Sequence, residues 1–259
     1  MGSILEPMKN NKLITGRDYR QEAEARVGFI CGVLEKAGAS GIVFANSGGK
    51  DCALVGILCK LACENTLSLI LPCGIVRSYH EDMDDALRLA EHFKIESRTL
   101  DLKPAYDALV ACMSDKAHIT EEARANIAPR LRMQALYAVA LSEGRLVAGT
   151  GNRSEIFLGY FTKWGDGAYD FNPIADLTVT EVYEFLRFFG APECIIEKSP
   201  SAGLFEGQTD ESDLGFRYCE LDSYLMGRTM DDLSFEKFMK RHKSTMHKRD
   251  LPATYTGQD

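Results

Sequence analysis

Nowhere in these 259 residues does an apolar run approach the roughly 20 residues that a membrane-spanning helix needs. The opening segment, Met1 to Asn10, lacks the cationic flank and apolar stretch of a secretory signal, so the expectation is a cytoplasmic protein with no membrane partner. Basic charge is scarce: 30 Lys and Arg face 38 Asp and Glu, a formal net charge of −8, and no long Lys/Arg block occurs. Phosphate neutralisation along a nucleic acid needs a basic surface, which makes this chain a poor general nucleic-acid binder and leaves room only for a local basic pocket that takes a small anion. Tryptophan occurs once, at Trp164, and reads as loop packing rather than a stacking platform. Eight cysteines are present without a CxxC pair. Cys59 and Cys63 share a helix face, but no histidine accompanies them at zinc-finger spacing, so the thiols read as buried, reduced small hydrophobes. There is no internal repeat, low-complexity segment or clean linker, and residues 1–259 are expected to form one domain.

What is present is an alternation of short apolar runs with longer stretches of helical period. That pattern predicts an α/β fold, a mostly parallel sheet flanked by helices. The strand candidates are Gly41 to Ala45, Leu67 to Leu71, Ile95 to Leu100 and Arg145 to Ala148. Helices are predicted over Tyr19 to Lys36, Cys52 to Glu64, Glu81 to Phe93, Ala105 to Met113 and Pro129 to Ser142, with Pro129 in a first turn where its missing N–H does no harm. Thr178 and Glu181 form a capping-box spacing ahead of a helix from Val179 to Phe189, which Gly190 and Pro192 stop. Gly159 to Leu177 and Lys198 to Asp213 are polar, Gly-containing stretches too long for bare connectors, a length usually associated with function.

The sharpest local signal is Asn46-Ser47-Gly48-Gly49-Lys50-Asp51-Cys52, placed between a strand and a helix. Two glycines let the backbone turn tightly and approach a ligand, and the free N–H groups at a helix start attract an anion. Ser47 adds a hydroxyl donor and Asp51 a hard oxygen suited to Mg²⁺. The parts describe a pyrophosphate cradle, although the same stretch also suits a plain strand-to-helix turn. It is not a Walker loop, because G-x-x-x-x-G-K-[ST] is absent. Glu155 follows the last predicted strand, near the carboxyl ends of the strands where parallel sheets bind ligands, and its carboxylate together with that of Asp51 suits a metal bridging phosphates.

Ser47-Gly48-Gly49-x-Asp51 resembles the loop of the N-type ATP pyrophosphatases, which adenylate an oxygen and release pyrophosphate. GMP synthetases, asparagine synthetases, tRNA-modifying enzymes and NAD synthetases share it, and the loop alone does not choose among them. Gly149 to Asp176 and Ser199 to Gly215 resemble segments of the NAD synthetases nearly residue for residue, with Asn126 to Arg132 and His247-Lys248-Arg249 completing the order. The resemblance implies an adenine nucleotide α-hydrolase-like fold and amidation of nicotinic acid adenine dinucleotide to NAD. No glutaminase-type domain fits in the remainder, which points to ammonia as the nitrogen donor.

By resemblance, Ser47, Gly48, Gly49, Lys50, Asp51, Cys52, Thr150 and Ser201 meet ATP, and Asp51 and Glu155 are the catalytic pair that holds Mg²⁺. Arg130, Lys163, Asp170, His247 and Lys248 contact the deamido-dinucleotide, and a homodimer is implied. Position 52 departs from the family's usual Ser, and Val179 stands where many members carry an ATP-contacting Lys, so that role is not carried over. The segment Cys73 to Asp85 is longer than usual, which leaves adenine contacts unassigned. The rivals are another ATP pyrophosphatase, such as a GMP synthetase core or a tRNA thiolase, and a module that merely senses ATP.

Overall fold

The computed structural model describes residues 15–73, 79–114, 116–198, 210–229 and 231–255; Ser201 lies outside them. In chain order the elements are α1 (Tyr19–Ala37), β1 (Gly41–Ala45), α2 (Lys50–Ala62), β2 (Thr66–Ile70), α3 (Tyr79–His92), β3 (Glu96–Thr99), α4 (Lys103–Ser114), α5 (Glu121–Ala125), α6 (Ile127–Glu143) and β4 (Arg145–Val147). There follow α7 (Arg153–Leu158), α8 (Val179–Phe189), α9 (Glu193–Ile196), α10 (Asp210–Leu214), α11 (Tyr218–Leu225), α12 (Asp232–Ser244) and a 3₁₀ turn, Met246–Lys248. Among the described residues no helix is long and apolar enough to cross a membrane.

The strands pair in parallel in the order β3-β2-β1-β4, and a parallel bridge from Ala148 to Phe171 extends the sheet beyond β4. Side chains alternate between the two faces of a strand, and β1 shows what that does. Ile42 and Phe44 point into a core built with α1, α2 and α8, while Val43 faces a second core with Leu67, Leu69, Leu136, Ala140 and Val147 under α6. β1 and β2 are buried on both faces; β1 reads as a continuous apolar run, while β2 buries Thr66 and Ser68 between its aliphatic residues. β3, at the edge, is mostly exposed and carries Arg98 paired with Glu96 and Glu143, charge that discourages pairing with another strand. A third apolar cluster, Leu158, Val179, Tyr218, Leu221 and Phe238, ties α7 and α8 to α11 and α12.

Helix ends follow local chemistry. Asp18 caps α1 by accepting from the amides of Arg20 and Gln21, and Gly38 closes it in the left-handed conformation. Thr178 and Glu181 form the expected reciprocal capping box of α8, and Gly190 ends it at φ 67°. α2 starts at Lys50, two residues before its first apolar position, because Gly49 has extended backbone and hands the first turn to the loop. Pro129 falls in the first turn of α6 as expected, while the helix itself begins two residues earlier, at buried Ile127 and Ala128.

Two sequence expectations need correcting. All eight cysteines are free, but only Cys52, Cys59 and Cys73 are buried, whereas Cys31, Cys112 and Cys219 are exposed because they occupy outward-facing helix positions. Trp164 does not pack inside its loop: the residue is 53% exposed on a left-handed backbone (φ 63°), with Lys163 Nζ 5.5 Å from the ring centre.

Phe185 of α8 is fully buried, 4.8 Å from the ring of Tyr19 and 5.0 Å from that of Phe189. Phe185→Ala is expected to lower unfolding free energy by about 3–5 kcal/mol in a urea titration, because the three-layer core cannot collapse around a missing ring.

Candidate active site

The sheet order places a topological switch between β1 and β4: from β1 the chain runs outward to β2 and β3, then returns to the other side of β1. The loops leaving β1 and β4 diverge there and leave a crevice at the carboxyl ends of the strands. The first loop is Asn46 to Gly49 and the second is Ala148 to Asn152. The crevice opens into a cavity of about 640 Å³ whose wall includes Ser47, Lys50, Asp51, Thr150, Glu155 and Lys248.

Buried Asn46 sets the shape of the first loop. Its Nδ2 donates to Ser68 Oγ at 3.0 Å and to the Ala86 carbonyl at 3.1 Å, while its Oδ1 accepts from the Gly48 amide at 3.1 Å. Gly48 is left-handed at φ 74°, and a Cβ there would lie 2.3 Å from the Asp82 carbonyl oxygen, so no side chain fits. Gly49 caps α2 without a side-chain bond, which leaves the first-turn N–H groups facing the cavity for an anion. Cys52 is the third residue of α2, with Sγ 3.3 Å from Ser47 Oγ, and burial raises its thiol pKa, so it acts as a neutral packing group beside the loop.

Two carboxylates meet beside the cradle. Asn152, fully buried, donates from Nδ2 to Asp51 Oδ1 at 3.0 Å, while its Oδ1 accepts from the Glu155 amide at 3.0 Å and its own amide donates to Glu155 Oε2 at 3.2 Å. One side chain thus caps α7 and fixes the relative positions of Asp51 and Glu155. Lys50 Nζ lies 2.7 Å from Asp51 Oδ2 and 3.7 Å from Glu155 Oε1. Burial, followed by the charge of Asp51, pushes the Glu155 carboxyl up to about 8. Burial disfavours the charge on Lys50, yet the Asp51 and Glu155 carboxylates outweigh it and hold the ammonium above the usual lysine range.

Such a pair fits a hard divalent cation. Two carboxylates face the same point beside Lys50 Nζ, and a cation there would offset the part of the Glu155 shift that the Asp51 charge adds to burial. No group of three or more His, Cys, Asp or Glu suited to a metal occurs among the described residues. The remaining ligands would be phosphate oxygens and water, the usual habit of Mg²⁺.

α7 is braced at both ends. Ser154 Oγ donates to Asp222 Oδ1 at 2.6 Å, and Asp222 Oδ2 accepts from the Thr180 amide and hydroxyl, both at 2.7 Å. At the other end Arg249 Nη1 donates to the Ile156 and Phe157 carbonyls, Thr245 Oγ1 to Leu158 O at 3.0 Å, and Lys248 Nζ to Gly159 O at 2.9 Å and Phe161 O at 2.8 Å. The basic closing segment is therefore turned inward as a cap on a six-residue helix whose first turn presents Glu155.

The structure gathers Ser47, Gly49, Lys50, Asp51, Cys52, Thr150, Glu155 and Lys248 on one cavity. It sets the other candidates elsewhere. Arg130 is exposed, with Nε donating to the Lys163 carbonyl at 3.3 Å; Lys163 Nζ donates to the carbonyl of exposed His247; Asp170 Oδ2 accepts from the Val147 amide at 2.7 Å, at the end of β4. Arg132, two residues beyond Arg130, lines the cavity instead and donates to Leu71 O at 3.0 Å. Sequence reasoning missed Asn152, although Asn152-x-x-Glu155 has capping spacing, and missed Asp222, for which no local signal exists.

Gly48→Ala is expected to weaken ATP binding at least about tenfold by calorimetry while the fold persists, since a Cβ displaces the loop but not the core. Arg249→Ala removes several bonds to α7 carbonyls and is expected to cost about 1–3 kcal/mol in chemical denaturation.

Comparison with known proteins matches the same elements. The family model described as NAD synthase matches residues 22–252. The NH3-dependent NAD(+) synthetase of Carboxydothermus hydrogenoformans is 45% identical over 240 residues, 91% of this chain and 97% of that one. The NMN synthetase structure from Francisella tularensis superposes with a TM-score of 0.87 at 35% identity, covering 93% of this chain and all of that one. The NH3-dependent NAD synthetase of Campylobacter jejuni, in complex with nitrate ion, gives 0.77 at 29% identity, with coverage of 93% and 100%. The fold is the adenine nucleotide α-hydrolase-like type. Because the family match runs from within α1 to beyond the closing basic turn and takes in every element that builds the cavity, the chain belongs to the NAD synthase family.

Proposed function

We infer that this chain is a C–N ligase that uses ATP and ammonia to amidate nicotinic acid adenine dinucleotide, giving NAD, AMP and pyrophosphate. The observation that carries this reading is the Asn152-braced carboxylate pair beside a glycine cradle at the switch point of a parallel sheet, in a chain of the NAD synthase family. A carboxylate is a poor electrophile, and joining it to the α-phosphorus of ATP makes an acyl adenylate that ammonia can open. The protein's task is largely electrostatic: main-chain N–H groups of the loop bind the departing pyrophosphate, and the rigid loops hold the reacting groups in line. Asp51 and Glu155 are the residues that would hold Mg²⁺, which when bound neutralises phosphate charge.

The cavity wall offers Lys248 and Arg132 to the anionic second substrate. Arg130, Lys163 and His247 lie outside that wall and suit contacts with a part of the dinucleotide reaching beyond it, and Asp170 suits a hydrogen bond at the same rim. A homodimer that completes this outer portion, in the cytoplasm, belongs to the same reading. A second reading, amidation of nicotinate mononucleotide, is favoured by the likeness to the Francisella tularensis NMN synthetase.

Both readings share the adenylation chemistry and differ in acceptor. Offered each acid with heavy oxygen in its carboxylate, plus ATP and ammonium, the protein is expected to prefer the dinucleotide in kcat/KM and to place label in AMP and none in pyrophosphate. Preference for the mononucleotide selects the second reading. ADP as stoichiometric product, measured by mass spectrometry, rejects adenylation altogether.

A further inference from the structure

Lys50 exceeds what the phosphate loop requires. The loop binds anions through main-chain N–H groups, which any residue at position 50 other than proline supplies, yet this chain places an ammonium there and buries it. Its side chain keeps 6% of its surface exposed, against 14% for Asp51 and 17% for Glu155. Nζ contacts both carboxylates, and among the described residues no other cation forms an ion pair with either. The role of Lys50 rests on the reading that Asp51 and Glu155 are the divalent-cation ligands, which puts its ammonium at the edge of the cation's position.

The charges decide the consequence. The ammonium already occupies the side of the carboxylate pair that a cation would approach, and a divalent cation arriving alone would sit beside that fixed positive charge. Repulsion between a divalent and a monovalent cation is about twice that between two unit charges at the same distance, and it is screened less at a buried side chain such as Lys50 than at an exposed one. A nucleotide triphosphate reverses the balance: it brings several negative charges and gives Nζ a new partner within a cavity that Lys50 already lines.

We propose that Lys50 is a built-in counter-ion that couples cation binding to nucleotide binding. Its ammonium offsets part of the charge of the Asp51 and Glu155 pair in the nucleotide-free protein and weakens cation binding there, then turns to the phosphate oxygens when nucleotide and cation enter together. Linkage makes the effect reciprocal, so the nucleotide raises cation affinity and the cation raises nucleotide affinity.

The test is a Mn²⁺ titration of the full chain without nucleotide, with free ion followed by electron paramagnetic resonance, for wild type, Lys50→Gln and Lys50→Arg. Lys50→Gln is expected to bind Mn²⁺ at least about tenfold more tightly than wild type, and Lys50→Arg, which keeps the charge, to stay within about twofold of it. A non-hydrolysable ATP analogue should narrow the gap between wild type and Lys50→Gln. Equal or weaker Mn²⁺ binding by nucleotide-free Lys50→Gln overturns the proposal. Glu155→Gln separates the underlying assignment: if it binds Mn²⁺ as wild type does, with or without the analogue, the ligand reading itself fails. Loss of binding in Glu155→Gln with no effect of residue 50 removes only the role of Lys50. If Lys50→Gln does not fold without metal, the proposal requires Mn²⁺ to restore its circular dichroism at concentrations that leave wild type unchanged, and failure to restore it counts against the proposal.

Discussion

Two carboxylates held side by side beneath a half-closed cavity are an electrostatic liability, and much of the architecture serves to keep them there. Left to relax, Asp51 and Glu155 would move apart. They are restrained because Asn152 bonds to both at once, by side chain to Asp51 and by side chain and backbone to Glu155. Lys50 supplies part of the missing positive charge. The pair is thus pre-formed before any ligand arrives, and the repulsion between its like charges is what a cation would relieve.

Keeping Asn152 in place is a problem of anchoring a short helix. Six residues provide too few internal hydrogen bonds for α7 to stand alone, so its position is borrowed from neighbours. Asp222 ties its first turn to α8, and Arg249, Lys248 and Thr245 take up the carbonyls at its far end. Residues some ninety positions downstream thereby control where Glu155 stands. The net acidity of the chain and the local requirement for cations are reconciled by the same device, since the late basic residues are spent on carbonyls and on one cavity wall rather than spread over a surface.

The sheet was largely legible in the amino-acid sequence, because strands buried on both faces must be apolar and short, and because glycine and capping residues punctuate helices locally. β1 and α8 fall where the pattern puts them, and β2, β3, β4 and α2 differ from it by one or two residues at their ends. The glycine loop after β1 was legible for the same reason: its glycines answer a local demand, the left-handed turn at Gly48 and the start of α2 without a side-chain cap. The short helices α5, α7 and α9 to α11 carry too few turns to show a period.

What the tertiary structure decided is which distant groups share space. Nothing near Asp222 in the chain announces that its carboxylate will bond to Ser154 and Thr180, and nothing local distinguishes Arg132, on the cavity wall, from Arg130, exposed outside it. Lys248, Arg249 and His247 read alike as a basic stretch, yet the turn that carries them points two cations inward and leaves the histidine exposed. Local sequence determines conformations set by sterics and hydrogen bonds a few residues apart, whereas the meeting of Asp51, Asn152 and Glu155 depends on β1 and β4 being neighbours at the point where the sheet reverses its direction of growth.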